Sequence, residues 1–266
     1  MVRRGARSWC DVGRGQVHSL RRAAGRVARV ALDFLLPPAC AACERPLDEG
    51  ERGLVCGRCW ARLELLPFPQ CARCGHPSLR PSCSWCELLP PYVRAVRSAC
   101  WMHRGTGPLI VHALKYRGWH AIAREMADRI ARLPWPLDVD EERAAVLPVP
   151  LALSRERERG FNQSERIARA LAERWRVPTW CDVLERARST QTQTRLTPEE
   201  RLANVSGAFR VRDAGRQALR NAHVVLVDDV VTTAATLNAC AAALIAGGAR
   251  IVSYATFGRA PAVGDR

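Results

Sequence analysis

The chain has no apolar run of about eighteen residues, the length that a helix needs to span a bilayer. It also lacks the apolar segment of a secretory signal, because Arg3, Arg4 and Arg7 are followed by mixed polar residues. The first absence predicts that no transmembrane segment exists. The second predicts a cytoplasmic location.

Lysine is almost absent as well. Of the 41 basic residues, only Lys115 is a lysine and the others are arginines. In such a chain a single lysine indicates a position that requires a compact ammonium group rather than a planar guanidinium. The alternative is a favourable charge at the end of a helix, since Lys115 lies near the end of a predicted helix over 108–116. We favour the functional interpretation.

With 266 residues, 48% of them hydrophobic, the chain is long enough for one main core and a small second domain. The net charge is +15, and residues 1–32 contribute eight arginines against one acid, Asp11. Residues 18–36 also fit an amphipathic helix with arginines opposite its apolar face. A basic, partly helical leader over 1–36 that contacts nucleic acid or a membrane surface is one interpretation. A solvated, partly disordered segment is the other.

Eight of the twelve cysteines form four C-x-x-C pairs within 47 residues. Each pair presents two thiolates on one turn, and two such turns supply the four ligands of a tetrahedral zinc ion. Zinc is favoured over disulfides because the spacing is uniform and no secretory signal is present. The spacing predicts a double zinc ribbon over 37–90 with two structural zinc ions, although it also allows interleaved pairs. With adjacent pairing, the ligand sets are Cys40, Cys43, Cys56 and Cys59, and Cys71, Cys74, Cys83 and Cys86.

After residue 90 the pattern becomes that of an α/β domain, in which apolar strands alternate with helices. Such alternation is typical of a parallel sheet flanked by helices. We expect this domain to cover 91–260 and to be followed by a short tail over 261–266. The predicted strands lie near 92–102, 144–149, 178–184 and 223–227, and the predicted helices near 108–116, 119–133 and 234–246.

The stretch VVLVDDVVTTAATL, residues 224–237, combines an apolar strand, two adjacent acids and a threonine-rich turn that leads into a helix. In open α/β sheets, ligands bind outside the carboxyl ends of the strands, where Asp228 and Asp229 are expected. A helix N-terminus offers free N–H groups and a positive dipole end to an anion. These features predict a sugar-phosphate site. An ordinary strand, turn and helix cap is the alternative.

A second charged stretch follows the predicted strand over 144–149. It contains Arg155, Arg157 and Arg159, and Asn162 then caps a helix. Arginines at the carboxyl end of a strand suit a pyrophosphate, because each guanidinium can bind two phosphate oxygens. A surface helix with Arg/Glu pairs is the alternative.

The polar segment over 188–201 precedes the acidic motif. Thr197, Pro198 and Glu200 form a capping box that predicts a short helix ending near residue 204. A flexible segment at this position suits a lid over bound substrate, with a plain surface loop as the alternative.

These motifs carry a resemblance to known proteins. VVLVDDVVTTAATL resembles the phosphoribosyl pyrophosphate (PRPP) motif of type I phosphoribosyltransferases. Together with ALKYRG, PVPLALSRERERGFNQ, QTRLTPEERLANVSGAF and the four C-x-x-C pairs, it resembles the ComF competence family. The resemblance implies a double zinc ribbon followed by a type I phosphoribosyltransferase fold, and for some members a part in the uptake or use of external DNA.

The resemblance also implies roles for individual residues. Asp228 and Asp229 would hold the ribose hydroxyls of PRPP, which binds with Mg²⁺, and Thr232 to Thr236 would wrap its 5′-phosphate. The family usually has glycine at the position of Ala234; an alanine there costs on the order of 1 kcal/mol if φ is positive. Residues 193–204 would form a hood over the site. The residues implied for binding are Asp228, Asp229, Val230, Thr232, Thr233, Ala234, Ala235 and Thr236, with Lys115, Arg155 and Arg159 on the pyrophosphate side.

Two functional hypotheses follow. The first is a phosphoribosyltransferase-like protein that binds PRPP and Mg²⁺ and transfers ribose phosphate. It would not use glutamine, because Val2 follows Met1 where glutamine-using amidophosphoribosyltransferases need a catalytic cysteine. The second is a non-catalytic competence protein whose zinc ribbons and basic leader bind single-stranded DNA or competence proteins.

Overall fold

The computed structural model describes residues 38–51, 53–78, 83–187 and 207–261. The predicted leader, the lid segment with its capping box, the hood and nearly all of the tail lie outside these residues. The chain divides into two compact units, one formed by residues 1–40 and 44–51 and the other by residues 41–43 and 52–266. In the described part of the first unit, Arg45 forms ion pairs with Asp48 and Glu51. No helix in the described ranges is both long and apolar enough to cross a bilayer.

The second unit contains a four-stranded parallel sheet with helices packed against it. In chain order, its described elements are α1 (Gly57–Ala61), β1 (Val93–Trp101), α2 (Gly107–Tyr116), α3 (Ile122–Ala131), α4 (Leu137–Glu142), β2 (Arg143–Pro148), α5 (Leu153–Arg159), α6 (Gln163–Trp175), β3 (Leu184–Arg186), β4 (Phe209–Val211), α7 (Asp213–Leu219), β5 (His223–Val231), α8 (Ala235–Ala246) and β6 (Ile251–Arg259). The strand order in the sheet is β1-β6-β5-β2. The predicted parallel α/β fold is confirmed.

The sheet is covered on both faces, which explains why its strands are continuously apolar. Leu147, Leu226 and Tyr254, from three neighbouring strands, belong to one buried cluster with Leu237 and Leu244 of α8. Residues of β5 that point to the opposite face, such as Val225 and Val227, are equally buried. A strand with two buried faces has no polar alternation, and this is the pattern that the sequence shows.

The strand predicted near 178–184 is confirmed only in part. Thr179 forms an isolated parallel bridge with Val146 of β2. The regular strand lies later, at Leu184–Arg186, and pairs antiparallel with Phe209–Val211 in a separate two-stranded sheet. The charged stretch after β2 forms a helix, α5, which agrees with the alternative interpretation of this stretch as a surface helix with Arg/Glu pairs. No side chain of α5 is buried.

The cysteines of the second unit form compact groups. In the second quartet, Cys71, Cys74, Cys83 and Cys86, all four sulfur atoms lie within 4.8 Å of one another. The Sγ atoms of Cys71 and Cys86 are 3.5 Å apart, and those of Cys74 and Cys83 are 3.4 Å apart. A tetrahedral zinc ion with bonds of about 2.3 Å separates its sulfur ligands by about 3.8 Å. The second quartet therefore fits zinc, and its pairing is adjacent rather than interleaved.

Three cysteines of the predicted first set also lie together in the second unit. The sulfur atoms of Cys43, Cys56 and Cys59 are within 4.8 Å of one another, with Cys43 and Cys56 3.8 Å apart. Cys40 belongs to the first unit, and its C-x-x-C spacing to Cys43 assigns it to the same set. The first set thus also has the composition of a structural zinc site.

A buried histidine at the start of β5 gives the fold a predictable response to acid. His223 is 2% exposed, and its Nε2 shares a hydrogen bond of 2.9 Å with Ser253 Oγ. Burial lowers the pKa of His223 from 6.5 to about 4, and nearby Glu142 opposes this only in part. The unfolded chain therefore binds a proton at higher pH than the folded protein does. We expect the contribution of His223 to the free energy of unfolding to fall by on the order of 3 kcal/mol between pH 6.5 and pH 4.

Urea unfolding at several pH values measures this effect. His223→Asn cannot be protonated, so the free energy of unfolding of the wild type should fall relative to that of the variant as the pH is lowered through this interval. His112→Asn, at an exposed position, should keep the wild-type pH dependence. Equal pH dependence of the wild type and His223→Asn would contradict the prediction.

Candidate functional site

The two adjacent aspartates lie inside β5, so the predicted end of this strand at residue 227 is wrong. The pairing with β2 stops at Val227, whereas the pairing with β6 continues to Val231. Asp228 therefore has a strand on one side only. On the other side its Oδ1 accepts a hydrogen bond of 2.7 Å from Ser164 Oγ, in the first turn of α6.

A cavity of about 350 Å³ opens at this end of β5, and we call it the carboxyl-edge cavity. Asp228 and Asp229 line it, as does Lys115 from α2. Two apolar side chains that the sequence did not predict, Met102 and Val111, complete its wall. The remaining lining residues are Val230, Val231, Thr232, Thr233, Ala234, Ala235, Thr236 and Leu237.

Lys115 and Asp229 form an ion pair inside this cavity. Asp229 is 4% exposed, and only 21% of the Lys115 side chain is exposed. Burial alone would lower the pKa of the Lys115 ammonium. The charge of Asp229, its hydrogen bond and the charge of Asp228 outweigh burial and raise that pKa above its ordinary value. The only lysine of the chain is thus held as a cation beside the acidic pair.

Asp228 differs electrostatically from its neighbour. Burial, followed by the charge of Asp229, raises the pKa of Asp228 from 3.8 to about 7, although Ser164 and Lys115 act in the opposite direction. Its ionisation therefore changes near neutral pH. Titratable groups with such shifted pKa values are concentrated at functional sites.

The turn between β5 and α8 offers hydrogen-bond donors to the cavity. The Thr233 hydroxyl is buried and has no hydrogen-bond partner in the described residues. The helix that follows begins at Ala235, so the N–H groups of its first turn lack intrahelical acceptors. An unpaired hydroxyl and a helix N-terminus together suit an anion such as a phosphate.

Ala234 is the residue before α8, and its φ of 59° lies in the left-handed region. This conformation costs a non-glycine residue roughly 1–2 kcal/mol, whereas burial of its methyl group contributes about 0.8 kcal/mol. We expect Ala234→Gly to raise the free energy of unfolding by up to about 1 kcal/mol, as measured by chemical denaturation. Ala235→Gly, one residue later in regular helix, should instead lower it by about 1 kcal/mol. Destabilisation by both variants would contradict the prediction.

The predicted pyrophosphate-side arginines have different surroundings. Arg159 donates to Gln163 Oε1 at 2.9 Å and to the Tyr116 hydroxyl at 3.1 Å, and its charge acts on Lys115. Arg155 instead pairs with Glu158 at 2.7 Å, and neither arginine lines the carboxyl-edge cavity itself. The structure thus brings Arg159 close to Lys115, while Arg155 forms the kind of surface Arg/Glu pair that the sequence analysis gave as the alternative.

Sequence reasoning missed Ser164, because it contacts Asp228 across 64 positions of the chain. The nearest signal was the prediction that Asn162 caps α6. Its side chain does accept a hydrogen bond of 3.0 Å from the Ser164 amide. The same cap thus orients the residue that holds Asp228.

Comparisons with known proteins cover most of the chain. The family described as "Double zinc ribbon domain" matches residues 31–90, and "Phosphoribosyl transferase domain" matches residues 121–263. The "DNA utilization protein YhgH" of Salmonella typhi is 34% identical in an alignment of 234 positions, which covers 82% of this chain and 95% of that protein. "Competence protein F" of Haemophilus influenzae is 25% identical, over 75% of this chain and 87% of that protein.

"Competence protein ComFC" of Bacillus subtilis is 24% identical, over 73% of this chain and 79% of that protein. Among solved structures, a hypoxanthine phosphoribosyltransferase from Staphylococcus aureus is 13% identical, with a TM-score of 0.31. That alignment covers 54% of this chain and 66% of that one, just under two thirds. A likeness of this size supports no argument about activity.

Proposed function

This chain belongs to the ComF family, and from that membership we propose that its carboxyl-edge cavity binds PRPP with Mg²⁺ and serves competence or the use of external DNA. One observation carries the proposal. A single cavity contains two adjacent aspartates, a lysine cation, and a threonine turn that begins a helix. Ribose hydroxyls, pyrophosphate and a 5′-phosphate are the groups that these three features suit.

The two carboxylates of the cavity also fit Mg²⁺. This ion prefers oxygen ligands and is commonly bound through one or two carboxylates together with substrate phosphates. Asp228 and Asp229 are the carboxylates that would hold it with PRPP. When bound, Mg²⁺ would offset negative charge on the pyrophosphate group.

The 5′-phosphate is assigned to the turn before α8. The buried Thr233 hydroxyl and the N-terminus of α8 are features that a phosphate can use. Two relatives are named "DNA utilization protein" and "Competence protein". These names support the proposal that PRPP binding serves competence or the use of external DNA.

Transfer of the ribose phosphate needs no covalent nucleophile from the protein. The bond between the anomeric carbon and the pyrophosphate oxygen breaks, an acceptor forms a new bond to that carbon, and pyrophosphate leaves. Lys115 and Arg159 stabilise the departing negative charge. The two aspartates hold the ribose while positive charge develops at the anomeric carbon.

Calorimetric titration with PRPP and Mg²⁺ tests the proposal. We expect the wild type to bind, the Asp228→Asn/Asp229→Asn variant to lose binding, and Asp213→Asn, at an exposed aspartate of α7, to bind as the wild type does. Circular dichroism should show that all three proteins are folded. Undetectable binding by the wild type would overturn the proposal.

A second candidate function is binding of single-stranded DNA, supported by the net charge of +15 and by the relatives named for DNA utilization. Contact with the phosphate backbone predicts an affinity that falls steeply with salt. Salt-dependent titration of the full chain and of a form without residues 1–33 tests this. Unchanged affinity after the deletion would remove the basic leader from the hypothesis.

A further inference from the structure

Two arginines are buried where the second cysteine quartet meets the parallel sheet. Arg97 of β1 is 7% exposed, and Arg259 at the end of β6 is 0% exposed. In the described ranges of the chain, neither guanidinium has a carboxylate partner. Arginine is almost never buried without a paired anion, because removing its charge from water is costly. A negative charge other than a carboxylate must therefore compensate the positive charges of these two guanidinium groups.

Both arginines contact the loops that carry the second quartet. Arg97 donates from Nη2 to the Ala72 carbonyl at 2.8 Å and from Nη1 to the Arg73 carbonyl at 3.2 Å. Arg259 donates from Nη2 to the Cys74 carbonyl, and its guanidinium lies 4.2 Å from the centre of the Trp85 ring. The two side chains thus join both C-x-x-C turns of the quartet to the sheet.

The main chain confirms how closely this part of the ribbon packs against β1. The amide of Val96 donates to the Arg73 carbonyl at 2.9 Å. Gly75 has a φ of +65°, and a Cβ atom there would lie 2.7 Å from the Val96 carbonyl oxygen. The turn and the strand are therefore in direct main-chain contact. Because Arg97 and Arg259 are buried at this contact, the charge of the quartet acts on them with little screening.

The two buried arginines match the charge expected of a zinc–thiolate centre. One divalent ion with four thiolates leaves two negative charges, and Arg97 and Arg259 supply two positive charges. Arg259 also has a spare donor, because its Nη1 is buried without a hydrogen-bond partner in the described residues. Thiolate sulfur is an acceptor that such a donor can use.

Arg259 also reaches the carboxyl-edge cavity through its main chain. Its carbonyl accepts a hydrogen bond of 2.9 Å from the Met102 amide, and Arg259 itself pairs with Val231 across β5 and β6. Met102 and Val231 both line the cavity. A shift of Arg259 would therefore move two walls of the cavity.

We propose that Arg97 and Arg259 are the counter-ions of a zinc–thiolate centre at the second quartet, and that Arg259 couples this centre to the carboxyl-edge cavity. The counter-ion role depends on the second quartet alone. The coupling rests on the proposed function, because PRPP is its probe.

Competition between zinc-loaded protein and a chromophoric chelator tests the counter-ions. Arg97→Gln and Arg259→Gln should each weaken one of the two zinc sites at least tenfold. Cys43→Ser disables only the first set and so identifies which site has changed. Arg94→Gln is the matched control, because Arg94 also lies on β1 but pairs with Asp138. Unchanged zinc affinity in both glutamine variants would overturn the proposal.

Lysine variants keep the test decisive if the glutamine variants do not fold. Arg97→Lys and Arg259→Lys retain the charge, so their zinc affinity should stay within about threefold of the wild type. A tenfold loss in folded lysine variants would show that charge is not what the centre requires, and would overturn the counter-ion role.

PRPP titration of zinc-loaded protein tests the coupling. Arg259→Gln should weaken PRPP binding severalfold, whereas Arg97→Gln, whose main chain does not support a cavity wall, should not. Linkage between two binding sites is reciprocal. If zinc at the second quartet strengthens PRPP binding by a given factor, PRPP should strengthen zinc binding there by the same factor. Equal PRPP affinity of Arg259→Gln and the wild type would overturn the coupling. A wild type that binds no PRPP would overturn the coupling and the proposed function together, while the zinc titration still judges the counter-ions.

Discussion

Lys115→Met is expected to lower the free energy of unfolding by about 3 kcal/mol, because it leaves Asp229 buried without its cation. Methionine keeps most of the length of the lysine side chain, so little packing is lost. Breaking a buried ion pair costs roughly 3–5 kcal/mol, and the lower end applies here because the pair borders an open cavity. Urea unfolding at pH 7.5 measures the change.

Asp229→Asn supplies the control for this prediction. In the Lys115→Met background it removes the unpaired carboxylate, so the double variant should recover most of the lost stability. The double-mutant cycle then reports the energy of the pair itself. A loss below about 1 kcal/mol in Lys115→Met would mean that solvent already screens the pair and that the lysine has no structural role.

The parts of the fold that could be predicted from sequence are those with local signals. The segment 223–227 is continuously apolar and rich in β-branched residues, as a strand with two buried faces must be. Asn162 precedes a helical pattern, and its side chain caps α6 as expected. The C-x-x-C pairs carry their geometry in their spacing, and the second quartet forms as predicted.

The parts that could not be predicted depend on contacts between distant segments. The end of β5 depends on its two neighbouring strands, because pairing with β2 stops at Val227 and pairing with β6 continues to Val231. The sequence of β5 alone does not show where each pairing stops. The antiparallel pair of β3 and β4 brings together two strands that are more than twenty positions apart in the sequence. Each strand has only three residues. Segments this short lack a measurable period.

The candidate site shows the same division. The acids, the threonine turn and Lys115 were identifiable because each departs from its local surroundings in residue type. Lys115 of α2 reaches Asp229, and Ser164 of α6 reaches Asp228, through contacts between segments that are far apart in the sequence. Asp228 and Asp229 are neighbours in sequence, yet packing gives them different partners, and sequence alone assigned them one shared role.

The second large effect is expected from Asp228→Asn, which should raise the free energy of unfolding by on the order of 2 kcal/mol at pH 8 and have little effect near pH 4. Burial, and then the charge of Asp229, raise the pKa of Asp228 from 3.8 to about 7. The unfolded chain loses this proton near pH 4, whereas the folded protein keeps it until about pH 7. The contribution of Asp228 to wild-type stability therefore decreases as pH rises between these values, opposite in sign to the contribution of His223.

The size of the effect follows from the shift. The difference between a pKa of 3.8 and one of about 7 corresponds to about 4 kcal/mol, and solvent at the half-buried carboxyl reduces this to roughly half. Asparagine stays neutral at every pH, and its Oδ1 can still accept the hydrogen bond from Ser164. Thermal or urea unfolding between pH 4 and pH 8 measures the difference between the variant and the wild type.

Asp213→Asn, at an exposed carboxylate, should change stability by less than about 0.5 kcal/mol at any pH. A difference between Asp228→Asn and the wild type that does not grow with pH would contradict the argument.

The Asp228→Asn substitution is also part of the double variant expected to lose PRPP binding. If Asp228→Asn alone is more stable than the wild type and binds PRPP more weakly, unfolding cannot explain the loss. Such a result would mean that the carboxylate is kept for its ligand at the expense of the fold.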